Sequence, residues 1–207
     1  MAYVLRLTPP DRTTTAVGHH GPVTRIVAGR AGGRRLAVPP RGTRPTSDRV
    51  REALFSAIDA TMDLDGARVL DLYAGSGALG FEALSRGAAV ATLVESDRAA
   101  LEVLRRNAGT VGVPGADIRP GKVAQVLATP PTEPYDLVFA DPPYALPDDD
   151  LAAVLAALTG WLAPEATVVV ERAKRSGPPH WPAHLEPART RRYGDTELHW
   201  AVHAGTT

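Results

Sequence analysis

The chain has 207 residues, 44% hydrophobic and 22% charged, a composition that excludes a disordered or fibrous protein and gives length enough for one well-buried domain. It holds no cysteine, which excludes disulfides, thiolate metal sites and cysteine nucleophiles and fits a reducing cytoplasm. The formal net charge of zero hides a split of +6 over residues 1–60, −8 over 61–170 and +2 over 171–207, so a basic front precedes an acidic body.

Residues 1–22 mix Pro, Thr, Gly and the pair His19-His20 without periodicity and read as a flexible leader with no secretory signal. The two histidines have no carboxylate near them in sequence and read as solvated rather than as metal ligands. Thr24–Gly29 and Arg34–Val38, joined through Gly32-Gly33, predict a small β-hairpin with exposed arginines. Next, Thr46 or Ser47 can cap a helix that has Asp48 in its first turn and Val50, Leu54, Ala57 and Ile58 at helical spacing. Arg49 and Arg51 fall off that apolar face. With Arg25, Arg34, Arg35 and Arg44 they are the candidate phosphate grips, the alternative being a solvated surface.

From Ala67 the pattern alternates strand and helix. Arg68–Leu72 predicts a strand, and Gly75, Gly77 and Gly80 form a G-x-G-x-x-G turn running into a helix. The strand Ala89–Val94 ends in Glu95, about 20 residues past the first glycine, where an acid can accept the hydroxyl protons of a ribose. Helices over 97–111 and from 121 to about 128 flank a short strand at Asp117–Arg119. A pyrophosphate favours a turn free of acids, whereas the cationic ends of S-adenosylmethionine suit Asp71. The turn therefore points to the methyl donor, with a dinucleotide as the alternative.

Leu137–Ala140 has the length and composition of a strand buried on both faces, so Asp141 should emerge at its carboxyl end, where open α/β sheets bind ligands. Pro142-Pro143 makes the turn rigid, and Tyr144 offers a ring on which a base can stack. Acceptors such as Asp141 and the Pro142 carbonyl could draw a nucleobase amine out of conjugation with its ring. The bland reading is a strand, a Pro-Pro turn and a solvated acid. A helix over 148–158, a strand over Ala166–Glu171 and a hairpin turning at Gly194-Asp195 complete the chain. The apolar stretch Leu151–Ala163 is interrupted at Thr159-Gly160 and too short to span a bilayer.

Arg44–Phe55, Asp71–Gly80 and Asp141–Tyr144, in this order, resemble the RsmD-type bacterial methyltransferases over roughly residues 24–203. The resemblance implies an α/β, Rossmann-like class I methyltransferase fold: a seven-stranded, mostly parallel sheet with a terminal antiparallel hairpin, preceded by a small β-hairpin and helix. The expected division is a leader (1–22), a basic RNA-binding hairpin and helix (23–62) and the methyltransferase domain (63–207). The implied reaction is methylation of a guanine N2 amine in 16S ribosomal RNA, with S-adenosylmethionine as cofactor. Adenine N6 methylation, or a nicotinamide oxidoreductase, is the alternative. The implied cofactor set is Asp71, Tyr73, Ala74, Gly75, Gly77, Glu95 and Ser96, and the catalytic set is Asp141, Pro142, Pro143 and Tyr144. The implied partner is a small-subunit assembly particle, met by a cytoplasmic monomer without metal or membrane. One departure is Lys122, at the approximate place where many such enzymes carry an acid or amide for the adenine amine.

Overall fold

The computed structural model describes residues 23–40 and 47–205; the expected leader and Arg44 lie outside them. Strands β3 (Arg68–Leu72), β4 (Val90–Glu95), β5 (Ala116–Pro120), β6 (Tyr135–Ala140) and β7 (Leu162–Ala173) run parallel. They are joined by β8 (Leu185–Tyr193) and β9 (Thr196–His203) in the order β5-β4-β3-β6-β7-β9-β8, with β9 antiparallel to both neighbours. This is the mostly parallel seven-stranded sheet with an antiparallel end that the sequence predicts. The order reverses between β3 and β6, which opens a crevice at their carboxyl ends.

Both faces of the sheet's centre are covered, so the central strands β3, β4 and β6 are buried along most of their length. Val69, Leu93, Leu137, Phe139 and Val169 face one core, shared with α1 (Asp48–Asp59), α2 (Ala78–Ser85) and α3 (Arg98–Val111). Leu70, Leu72, Val94, Val138 and Val168 face the other, with α4 (Val123–Leu127) and α5 (Asp148–Ala157). Side-chain oxygens start two of these helices: Ser47 Oγ accepts from Val50 N at 3.3 Å, and Asp97 Oδ1 from Ala100 N at 2.8 Å. The strand β7 is longer than Ala166–Glu171. Leu162 already pairs with Tyr135, and the ladder resumes at Thr167 with Leu137 after an irregularity that holds Glu165 at φ +63°.

The N-terminal hairpin, β1 (Val23–Arg25) with β2 (Arg35–Ala37), is fastened to the helices. Ile26, Ala31 and Leu36 enter the first core. The fully buried Glu82 of α2 accepts hydrogen bonds from Val27 N at 2.7 Å and Ala28 N at 3.0 Å. Gly29, at φ +79°, lies so close to α2 that a Cβ would come within 1.9 Å of the Ser85 carbonyl oxygen, which only glycine allows. From α3, Asn107 exchanges two 2.9 Å hydrogen bonds with Ala37 and donates a third, at 2.8 Å, to Ser76 O in the glycine turn.

Arg51 corrects the sequence reading. Its side chain is 0% exposed, because the hairpin covers that side of α1. It donates to Asp48 Oδ1 at 2.9 Å, Thr24 Oγ1 at 3.1 Å and the Arg25 carbonyl, and lies 3.8 Å from Glu82. A side chain so enclosed ties the hairpin to α1 and cannot meet a phosphate.

Candidate active site

The glycine turn leaves β3 through Tyr73, a non-glycine residue at φ +63°, a conformation that costs energy and clusters at functional sites. Ala74 N donates to Val94 O at 2.9 Å and Gly77 N to Ala74 O at 2.7 Å, which closes the turn against β4. Gly77 sits at φ +80°, and a Cβ there would come within 2.4 Å of Phe81 and 2.5 Å of Leu104. Glu95, at the end of β4, accepts from Gly75 N (2.9 Å), Ser96 N (2.7 Å) and Asp97 N (2.8 Å). Three donors already on this carboxylate leave about one of its four lone-pair positions for a ligand.

Asp71 lies on the same face as Val69 and is 2% exposed, and its Oδ2 accepts from Gly80 N at 2.9 Å. Burial pushes its pKa up to about 7, and the charge of Glu95 adds to the rise while the Gly80 bond opposes it. Asp71 therefore reaches a ligand through its field and through the helix start it holds rather than by lining the surface. At Tyr73 begins a cavity of about 550 Å³, bounded also by Glu95, Ser96, Lys122, Val123 and Asp150. Burial, with Asp150 adding, raises the Tyr73 hydroxyl to about 12, so it stays a neutral donor.

Across the crevice, Leu72 pairs with Ala140, which brings Asp141 to the glycine turn; Asp141 N lies 3.5 Å from Leu72 O. Asp141 is half-buried. Burial raises its pKa well above the ordinary carboxylate range, and the charges of Glu171 and Asp71 raise it further. Pro142 is half-buried and Pro143 exposed, with the Pro143 carbonyl accepting from Leu146 N at 2.8 Å; the Tyr144 ring is 57% exposed. Sequence reasoning missed Glu171, which follows Val170, the partner of Ala140. The signal was present: β4, β6 and β7 each carry an acid where their apolar run stops, and β3 carries Asp71 one residue before its end. Four carboxylates on one sheet edge fit a cationic ligand, and the cavity's apolar walls at Val94, Val123 and Val154 fit a flat heterocycle. These features match S-adenosylmethionine and oppose a pyrophosphate.

The arginines expected at RNA are scattered. Arg25 is exposed and 3.4 Å from Asp48 Oδ2, while Arg35 and Arg49 are exposed. Arg34 is exposed but donates to the carbonyls of Thr110, at 3.3 Å, and Val111, closing the end of α3 from which the chain returns to the amino edge of the sheet.

The chain is 43% identical over 167 residues to ribosomal RNA small subunit methyltransferase D of Escherichia coli K12, covering 78% of this chain and 83% of that one. The protein of the same name from Haemophilus influenzae is 38% identical over 154 residues, or 72% of this chain and 79% of the other. The solved structure of the E. coli protein yhhF superposes with a TM-score of 0.77 at 38% identity, over 89% of this chain and 100% of that one. The family model described as Conserved hypothetical protein 95 matches residues 24–202, and the chain belongs to that family, the one that holds ribosomal RNA small subunit methyltransferase D.

Proposed function

We propose that the chain methylates the exocyclic N2 amine of a guanine in 16S ribosomal RNA. The observation that carries this reading is the pairing of Leu72 with Ala140, which sets the acidic Asp141 turn against the glycine turn of the cofactor loop. When bound, S-adenosylmethionine supplies a methyl group on sulfur and a neutral thioether as leaving group. Tyr73, Ala74, Gly75, Gly77, Glu95 and Ser96 shape its seat, and Asp71 supplies negative field from below. Asp141 and the Pro142 carbonyl accept the two N2 hydrogens, which turns the nitrogen lone pair towards the methyl carbon; Pro143 fixes the turn and Tyr144 supports the ring. The N–C bond forms as the C–S bond breaks, and the nitrogen sheds one proton, which Asp141 is placed to take. The base must leave its stack to reach this corner, at a cost of a few kcal/mol when it starts paired. Arg25, Arg35 and Arg49 meet the RNA backbone, Arg34 at most from its helix-capping position, and the enzyme works in the cytoplasm as a monomer without metal.

Tritiated donor with undermodified small subunits, set against naked RNA and DNA, tests the substrate, and nucleoside mass spectrometry reads the product as N2-methylguanosine. Asp141→Ala is expected to bind the cofactor as before and to lose about 10²-fold or more in turnover, the size of effect seen when one acceptor or donor of a developing charge is removed. Appearance of N6-methyladenosine, or unchanged turnover in Asp141→Ala, overturns the reading.

A further inference from the structure

A second concavity adjoins the Asp141 turn on the side away from the cofactor cavity. It consists of two adjoining hollows of about 910 Å³ and 590 Å³ that share Ser47, Val50, Tyr193 and Gly194. The larger reaches Tyr144 and the segment after β7, at Lys174 and Arg175; the smaller continues along α1 to Arg49. Together they make a trough that begins at the proposed base-holding turn and runs between the start of α1 and the β8–β9 turn. The walls are fixed. Lys174 N donates to Asp195 O at 2.8 Å, which locks the end of β7 to the β8–β9 turn, and Arg189 of β8 donates to Ala57 O of α1 at 3.3 Å. Val50 and Tyr193 pack side by side against the first core, and Tyr193 stays half-buried with its remaining surface in the trough.

The chemistry along the trough is that of a single-strand track: two aromatic rings, Tyr144 at its head and Tyr193 further along, with cations at its rim. Lys174, Arg175 and Arg49 are exposed, and none has an ion-pair partner among the described residues. Glu171, near the head beside Tyr144, and Asp195 also border the trough, so its positive field is confined to the rim at Lys174, Arg175 and Arg49. An elongated channel with stacking rings and unpaired cations suits a polynucleotide strand better than a compact metabolite.

We infer that this trough holds the nucleotides flanking the target, with a neighbouring base stacked on Tyr193 and a backbone phosphate on Lys174 and Arg175. The inference rests on the RNA methyltransferase reading and extends it. Tyr193 and the pair Lys174-Arg175 then determine how tightly the substrate strand is held, while Asp141 acts on the amine itself.

The test uses the full chain and undermodified small subunits, with methyl transfer and cofactor affinity measured separately. Tyr193→Ala is expected to raise KM for the particle about 5- to 100-fold, the range for loss of one base–aromatic stack, with kcat and cofactor affinity within about twofold of wild type. Tyr193→Phe keeps the ring and restores KM, which a role confined to the hydroxyl or to a hydrogen bond would not allow. Lys174→Gln with Arg175→Gln lowers the slope of log affinity against log salt by about 0.7, the loss of one phosphate contact on a single strand. If Tyr193→Ala does not fold, this double variant decides. An unchanged KM in folded Tyr193→Ala, or an unchanged salt slope in the double variant, overturns the inference while the activity stands. Absence of methyl transfer to RNA by the wild type overturns the activity reading and the inference with it.

Discussion

At Asp71 the carboxylate is removed from water and keeps one backbone hydrogen bond from Gly80, which is too little to hold it at an ordinary pKa. Asp141 is raised as well, by burial and by the charges of Glu171 and Asp71, and near neutrality Asp71 keeps part of a proton that an ordinary carboxylate would have lost. A cationic ligand favours the charged form. Binding must therefore release a proton where Asp71 is still protonated, and affinity for S-adenosylmethionine falls as pH drops through about 7. Calorimetry in buffers of different ionisation enthalpy, from about pH 8 down to about 6, should show weaker binding and proton release at the acidic end. Asp71→Asn should weaken binding and flatten this dependence; an affinity that ignores pH in the wild type would contradict the argument. Asp141 was legible in the sequence because a strand buried on both faces stops abruptly at an acid. Arg51 was not: its helical position says nothing of a hairpin 26 residues earlier that closes over it.

Helix α2 does more than follow the glycine turn. Its Glu82 accepts two hairpin amides, pairs with Arg86 Nε at 2.9 Å and faces the enclosed Arg51. Glu82→Gln leaves the buried guanidinium short of a counter-charge and should cost about 3–5 kcal/mol, read from the urea unfolding midpoint. A loss under about 1 kcal/mol would mean that Asp48 alone satisfies Arg51. Strands and helices were mostly legible from apolar runs and caps, with the turn at Gly194-Asp195 read to the residue. The extension of β7 was not, since Ala163-Pro164-Glu165 has the composition of a turn and its place in the ladder comes from pairing with β6. A buried acid such as Glu82 also looks like any surface helix residue until its partners are known.

Across the whole molecule, the hairpin and α1 share a core with the sheet: Ile26, Leu36, Leu54 and Phe55 pack in one cluster with Val69, Phe81 and Phe139. Phe55 and Phe139 have ring centroids 5.7 Å apart. Removal of residues 23–62 should therefore give a chain without a cooperative thermal transition by circular dichroism and with raised binding of a hydrophobic dye. A sharp transition in that truncated chain would show an independent domain. The boundary expected near residue 62 came from charge and motif, and neither reports which element covers which face of the sheet. The ring of carboxylates at the carboxyl edge, Asp71, Glu95, Asp141 and Glu171, has a further consequence for turnover. In the proposed reaction the donor's sulfonium would become a neutral thioether, so a field that favours the cationic donor would hold the spent by-product less tightly. Release of the by-product would thus be helped by the charge change of the proposed reaction itself.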